Sequence, residues 1–264
     1  MFDATVRDGV LRVSRPATRW LSTGWNGGRS RADAADNVSV PEGFDRTDLG
    51  AYRAERLARA GFDASGDAPA LFTGVAMDHA RGARYGPVVA YATVGLSNPA
   101  MLPVAPEGAS DPTNDPANHP TNDPPSDPAS DPTGAAAPDE RPPDGGSPRP
   151  GTVNLIVGTS RCLAPGAAEN LVAVAAEAKA ATLLATAGVP GTTSDAVVVG
   201  DDPEGEPAAF SGSATPVGAA ARVCVRDAVR ASLRSRYPDG ETPGPAADAD
   251  HGVVADERAA VFNP

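Results

Sequence analysis

Thr152-Val153-Asn154-Leu155-Ile156-Val157-Gly158, behind Gly151, reads as a buried strand, and the segments around it decide the fold class. Its aliphatic run is short and bounded by glycines, as suits a strand inside a core. A long helix is expected next. It starts at Pro165, placed for the first helical position, and stops at Gly188, a natural C-terminal cap. Asp195-Ala196-Val197-Val198-Val199 is then a second strand. Further on, Thr215 and Pro216 open another helix that runs to about Arg236. Upstream, Thr5 to Val13 forms a hairpin around an Asp8-Gly9 turn. A short strand follows at Arg19 to Ser22. Helix character spans Asp48 to Ala60, with Thr47 as cap and Gly61 as stop, and strands are expected at Leu71 to Ala76 and Pro87 to Gly95. This order predicts one α/β or α+β domain, with a mixed β-sheet packed by long helices. It is assembled from residues 1–102 and 151–237, with 238–264 as a tail.

Residues 103–150 are expected to be a disordered insert. Proline recurs at Pro112, Pro116, Pro120, Pro124, Pro128 and Pro132, and aspartate precedes each except Pro120. Proline has a fixed φ and no amide to donate, so this run cannot enter a helix or central strand. It also lacks the aliphatic side chains that would offset ordering entropy.

The net charge of -12 argues against nucleic acid or an anionic membrane as partner, since both need basic footprints. No apolar run is read as approaching the roughly 20 residues of a membrane span. Met1-Phe2-Asp3-Ala4-Thr5 has no signal-peptide character. Cys162 and Cys224 are too few and too scattered for a disulfide framework or a zinc site, so no metal is expected. The expected setting is a salt-rich cytoplasm. The oligomeric state is left open.

Lys179 is the one lysine; every other cation counted among the 22 basic residues is arginine. Arginine stays charged at any working pH, whereas a lysine amine can take part in proton chemistry. Glu177 and Lys179 lie two apart on a helix that is apolar on nearly every side. They point to different faces and lack charged neighbours three or four residues away, so each must find a partner elsewhere. Arg222, Arg226, Arg230 and Arg234 form a stripe on the last helix, read as a solvated face. Other polar candidates sit at element ends: Thr23 and Asn26 near Trp25, Ser97 and Asn98 after the Pro87 strand, Asn154 within an aliphatic strand, and Ser194 and Asp195 entering the next one. The sequence has no Gly-x-Ser-x-Gly elbow, His-Glu-x-x-His, P-loop or Rossmann fingerprint.

Taken in order, Leu21 to Gly28, Ala92 to Pro99, Gly151 to Thr159, the Glu-Ala-Lys helix and Gly191 to Val199 resemble the adenosylcobinamide amidohydrolase family of corrinoid salvage, in a haloarchaeal form. The resemblance covers most of the chain outside insert and tail. It implies that water cleaves the amide joining the aminopropanol arm of adenosylcobinamide to the corrin, giving adenosylcobyric acid and 1-amino-2-propanol. The corrinoid is then substrate, and no cofactor is called for. Three departures from the bacterial pattern stand out. Hydroxyls that flank the Glu-Ala-Lys core are alanines here (Ala176 and Ala180). Gly191-Thr192-Thr193-Ser194-Asp195 replaces Gly-Thr-Gly-Thr-Asp. A His-Thr pair falls at Ala214-Thr215, without its histidine.

Amide hydrolysis needs a nucleophile, an oxyanion stabiliser and a proton for the departing amine. In the expected mechanism Glu177 or Asp195 activates water, and Lys179 stabilises the oxyanion or protonates the leaving nitrogen. Thr23, Asn26, Ser97, Asn98, Asn154 and Ser194 are the expected substrate contacts, with Asn98 and Asn154 as donors to the amide oxygen. A covalent route through Ser97 or Ser194 is the rival. A corrinoid carrier or regulatory module, binding without cleavage, is the alternative function.

Overall fold

A proline or a glycine sits inside several strands of this protein. The computed structural model describes residues 1–64, 66–103, 151–243, 246, 249, 252–255 and 257–263. β1 (Asp3–Arg7) and β2 (Val10–Ser22) make the expected hairpin, and Asp8 and Gly9 turn it at φ 45° and 74°. β2 continues through Pro16, however, and absorbs the separate strand expected at Arg19. The pairing register slips between Ser14 and Thr18, and Ala17 takes φ 56°. The bulge accommodates the proline's missing donor. The Ala17 amide is bonded instead to Asp33 Oδ1 at 2.8 Å.

β3 (Gly28–Ser39) was not expected, because its sequence carries almost no large aliphatic residue. α1 (Leu49–Arg59) follows. Its N-cap is Asp48, not Thr47, and no side chain caps it. Then come β4 (Ala70–Thr73), a 3-10 turn at Met77–His79, β5 (Arg81–Tyr85), β6 (Val88–Val94) and β7 (Pro99–Met101). The second half holds β8 (Val153–Leu163), α2 (Ala167–Ala187), β9 (Gly191–Thr192), β10 (Ala196–Ala208), α3 (Pro216–Arg236) and β11 (Val253–Val254). α2 begins behind Gly166 at φ 83°, so Pro165 precedes the helix rather than opening it. α3 starts as expected, with Thr215 Oγ1 accepting from the Gly218 amide at 3.0 Å.

The sheet is mixed, in the order β4-β3-β2-β10-β8-β6-β5, with β1 paired to the first half of β2. β8 and β10 are parallel. A parallel pair needs a crossover, and α2 supplies it. β7, β9 and β11 make a small second sheet, in which Val253 and Val254, assigned to the tail on sequence, pair with Ala100 and Met101. All these strands and helices belong to one compact unit, Met1–Leu102 with Ser147–Ala255. Of the expected insert, residues 104–150 lie outside the described residues.

α2 and α3 cover one face of the sheet. Leu171, Val174, Leu183, Val225 and Val229 pack there on Val153, Leu155, Val157, Val197 and Val199. On the other face Ile156 and Val198 meet Phe2, Leu11, Val13 and Trp20. The expected strands ended at Gly158 and Val199, yet Gly158 and Gly200 are both interior. A Cβ at Gly158 would come 2.6 Å from Phe2, and one at Gly200 2.4 Å from Trp20. These glycines are seats for two rings that touch edge to face at 5.7 Å. By length and composition α2 would suffice to cross a membrane, which the sequence reading passed over. In the fold its buried side chains belong to the core shared with α3 and the sheet.

The two cysteines are free. Cys224 is 1% exposed, and burial pushes its thiol up to about 11. The thiolate is the reactive species. A thiol reagent at pH 8 should therefore leave Cys224 unmodified in the native protein and label it once the chain is unfolded. Labelling of both thiols at equal rates without denaturant would contradict the packing of α3.

Candidate active site

β10 begins its parallel ladder at Ala196, opposite Asn154. Asp195 lies one residue before it and takes the amide that the ladder leaves over: Val153 N donates to Asp195 Oδ1 at 2.8 Å. Thr192 donates twice, from its hydroxyl to Oδ1 and from its amide to Oδ2 at 3.1 Å. The fourth donor is Lys179 Nζ, ion-paired to Oδ2. A carboxylate offers about four lone-pair positions, and all four are taken. Asp195 is thus held by three residues, and its two oxygens accept four hydrogen bonds.

Lys179 reaches this point from the middle of α2 and is only 9% exposed. Gly191 lets the two charges meet. A Cβ there would stand 2.5 Å from Asp195 Oδ2 and 2.8 Å from Lys179 Nζ. Gly191 and Thr192 are held in place by pairing with Ala100 and Pro99. That brings in the loop before β7. The Asn98 carbonyl accepts from Thr193 N at 3.0 Å, and Asn98 is 7% exposed. The half-buried Ser97 packs on Gly151, where a Cβ would come 2.5 Å from Ser97 Oγ. Ser194 is exposed in the turn between Thr192 and Asp195. Thr23, also exposed, clasps Val197 through its amide at 3.0 Å and by accepting from Val197 N at 3.0 Å. Lys179, Asp195, Ser97, Asn98, Ser194 and Thr23 therefore gather around one end of the sheet, contributed by the chain after β2, the chain after β6, α2 and the approach to β10.

Three expected contacts lie elsewhere. Glu177 is on the open face of α2, where its side chain is 64% exposed and 3.3 Å from Arg222. It found its partner on the neighbouring helix, and its place as a water-activating base is withdrawn. The helix was taken to be buried all round, but its row through Ala173, Glu177 and Ala181 is exposed. Asn154, 1% exposed, is on the sheet face opposite α2. Its amide nitrogen donates to Asn37 Oδ1 at 3.0 Å and to the Phe72 carbonyl at 2.9 Å, which stitches β3 and β4 over β8. Asn26 lines a separate hollow beside Trp25. His79 is bonded to Ser235 at 3.1 Å, on α3. The arginine stripe of α3 is exposed, as expected.

Sequence reasoning did not single out Gly191 as a working part. The available signal was the spacing Gly191-Thr192-x-x-Asp195, which lets an aspartate bond back to a residue three before it.

A family profile described as adenosylcobinamide amidohydrolase matches residues 2–241. A curated protein of Halobacterium salinarum, named adenosylcobinamide amidohydrolase, is 53% identical over 264 residues, all of both chains. The order of motifs around the Lys179–Asp195 pair therefore has the ancestry it suggested: the chain belongs to the adenosylcobinamide amidohydrolase family.

Proposed function

We propose that this protein hydrolyses the amide joining the corrin side chain of adenosylcobinamide to its aminopropanol arm. The products are adenosylcobyric acid and 1-amino-2-propanol. The observation that carries the reading is the Lys179 ammonium, one-tenth exposed, fixed by Asp195 against Gly191 at the mouth of the sheet. Such a cation, already oriented and partly desolvated, suits the negative charge that grows on an amide oxygen under attack. Asp195 is a positioning residue; it aims the ammonium and does not take a proton. Water adds to the carbonyl carbon, the proton it gives up passes to the amide nitrogen, and the C–N bond then breaks to release the carboxylic acid and the amine. Ser97 and Asn98, on the adjoining loop, line the approach of the arm. The setting we propose is a salt-rich cytoplasm, and its support is compositional: net charge -12 with a single lysine.

The test is release of 1-amino-2-propanol from adenosylcobinamide by the purified protein in concentrated salt. Tight binding without release would make it a corrinoid carrier instead. With water as nucleophile, Ser97→Ala and Ser194→Ala each keep turnover within about tenfold. Loss of a thousandfold or more in either would assign that serine a covalent role. Glu177→Gln should turn over like the wild type, because Glu177 serves only an exposed ion pair.

A further inference from the structure

Near the same end of the sheet, on the face away from α2, lies a hollow of about 360 Å³ that the chemistry above does not use. Ser22, Trp25, Asn26, Arg29, Arg53 and Asp67 line it. Its wall is built rather than incidental. Trp25 is 40% exposed, whereas Trp20 is 2% exposed in the core. The Trp25 indole is nevertheless braced. Phe72 stands edge-on to it at 5.9 Å, and Phe72 itself leans on Tyr52 at 6.2 Å. Gly50, in the first turn of α1, approaches the rim of the indole so closely that a Cβ there would be 3.5 Å from it. Arg53, 7% exposed, is fixed by Asp36 at 3.2 Å. The hollow therefore offers one rigid aromatic surface, an amide at Asn26, a hydroxyl at Ser22, a carboxylate at Asp67 and a guanidinium.

That set matches a purine nucleoside. The π-face of a base stacks on an indole. A side-chain amide can pair with the amino group and ring nitrogen of adenine. Ribose hydroxyls suit a carboxylate. The position also fits a large substrate. Ser22 pairs with Val198, three residues along β10 from Asp195. At roughly 3.3 Å per residue, the offset along the strand is on the order of 10 Å, so a substrate that reaches both the hollow and the ion pair has to lie across the end of the sheet. We infer that this hollow is the subsite for the 5′-deoxyadenosyl group carried on the cobalt of the substrate. Trp25 stacks on the adenine and Asn26 reads its edge. The inference rests on the substrate proposed above, and it makes Trp25 a specificity-determining residue, not a catalytic one.

Two measurements test it. In the first, kcat/KM is compared for adenosylcobinamide and dicyanocobinamide. Trp25→Ala should lower it roughly 10-fold for the adenosyl form, through KM, and leave the dicyano form unchanged. Trp25→Phe should recover much of the loss, and Asn26→Ala should share its selectivity. Equal losses on both forms, or none on either, would overturn the subsite. In the second, 5′-deoxyadenosine alone is titrated while tryptophan fluorescence is followed. Saturable quenching in the wild type that disappears in Trp25→Phe supports the subsite, and an absence of quenching overturns it. Failure of the wild type to cleave either corrinoid would sink the proposed reaction, and the fluorescence titration would still decide the nucleoside site.

Discussion

Lys179→Met should lower kcat for aminopropanol release by about 10²–10³, the usual cost of removing one preorganised donor to an oxyanion. Some stability should be lost as well, because Asp195, 12% exposed, keeps the Thr192 hydroxyl, the Thr192 amide and the Val153 amide but loses its counter-charge. The informative companion is Lys179→Arg. It preserves the charge in a protein that uses arginine for every other cation. The guanidinium is planar and broader than an ammonium, however, and the space beside Gly191 is already filled to within 2.8 Å of where a Cβ would lie. Arginine should therefore rescue little of the lost turnover. Full activity in Lys179→Arg would mean that a diffuse positive charge suffices. Full activity in Lys179→Met would remove the ion pair from the mechanism. Steady-state kinetics on both variants, with a thermal melt to show that each is folded, makes the comparison.

The lone lysine was legible because its chemistry differs from that of the arginines around it. Its partner was less so. Glu177 is near in sequence, but two residues along a helix turn a side chain through about 200°, and the carboxylate that reaches Lys179 comes from the chain beyond β9. Helix periodicity could separate the two charges but could not supply the tertiary contact. The aliphatic strands β6, β8 and β10 were readable from composition, since a strand covered on both faces needs large apolar side chains. β3 was not. Its stability comes from Asp36, Asn37 and small alanines, whose partners are remote in sequence. Strands were ended too early, at Val13, Gly158 and Val199, for one reason. A breaker inside a strand is tolerated where a bulge or a neighbouring ring uses the missing group, and only the packed sheet shows which it is.

The least visible part of the sequence should also be the least replaceable part of the fold. Asp36 is fully buried and accepts from Arg12 at 2.8 and 3.1 Å and from Arg53 at 3.2 Å. The three residues come from β2, β3 and α1, so the triad clasps the helix to the sheet. The side chains of Arg12 and Arg53 are 13% and 9% exposed. Asp36→Ala would remove the carboxylate that two guanidiniums share in a poorly solvated place. Removing one partner of a buried ionic group costs roughly 3–5 kcal/mol. For a folded unit of this size that is a fall in Tm of about 6–20 °C. Concentrated salt should not rescue it, because screening acts on exposed charges far more than on buried ones. The contrast is again Glu177→Gln, which breaks an ion pair in water and should leave Tm unchanged at any salt concentration. Well below its lowered Tm, Asp36→Ala should keep most of its kcat, since Lys179 and Asp195 lie outside the triad. A melt within 2 °C of wild type would show that the clasp adds nothing, and that α1 is held by its other contacts, the apolar cluster around Val10, Val38 and Leu57 and the Arg56 bonds to Ser39 and Asp8.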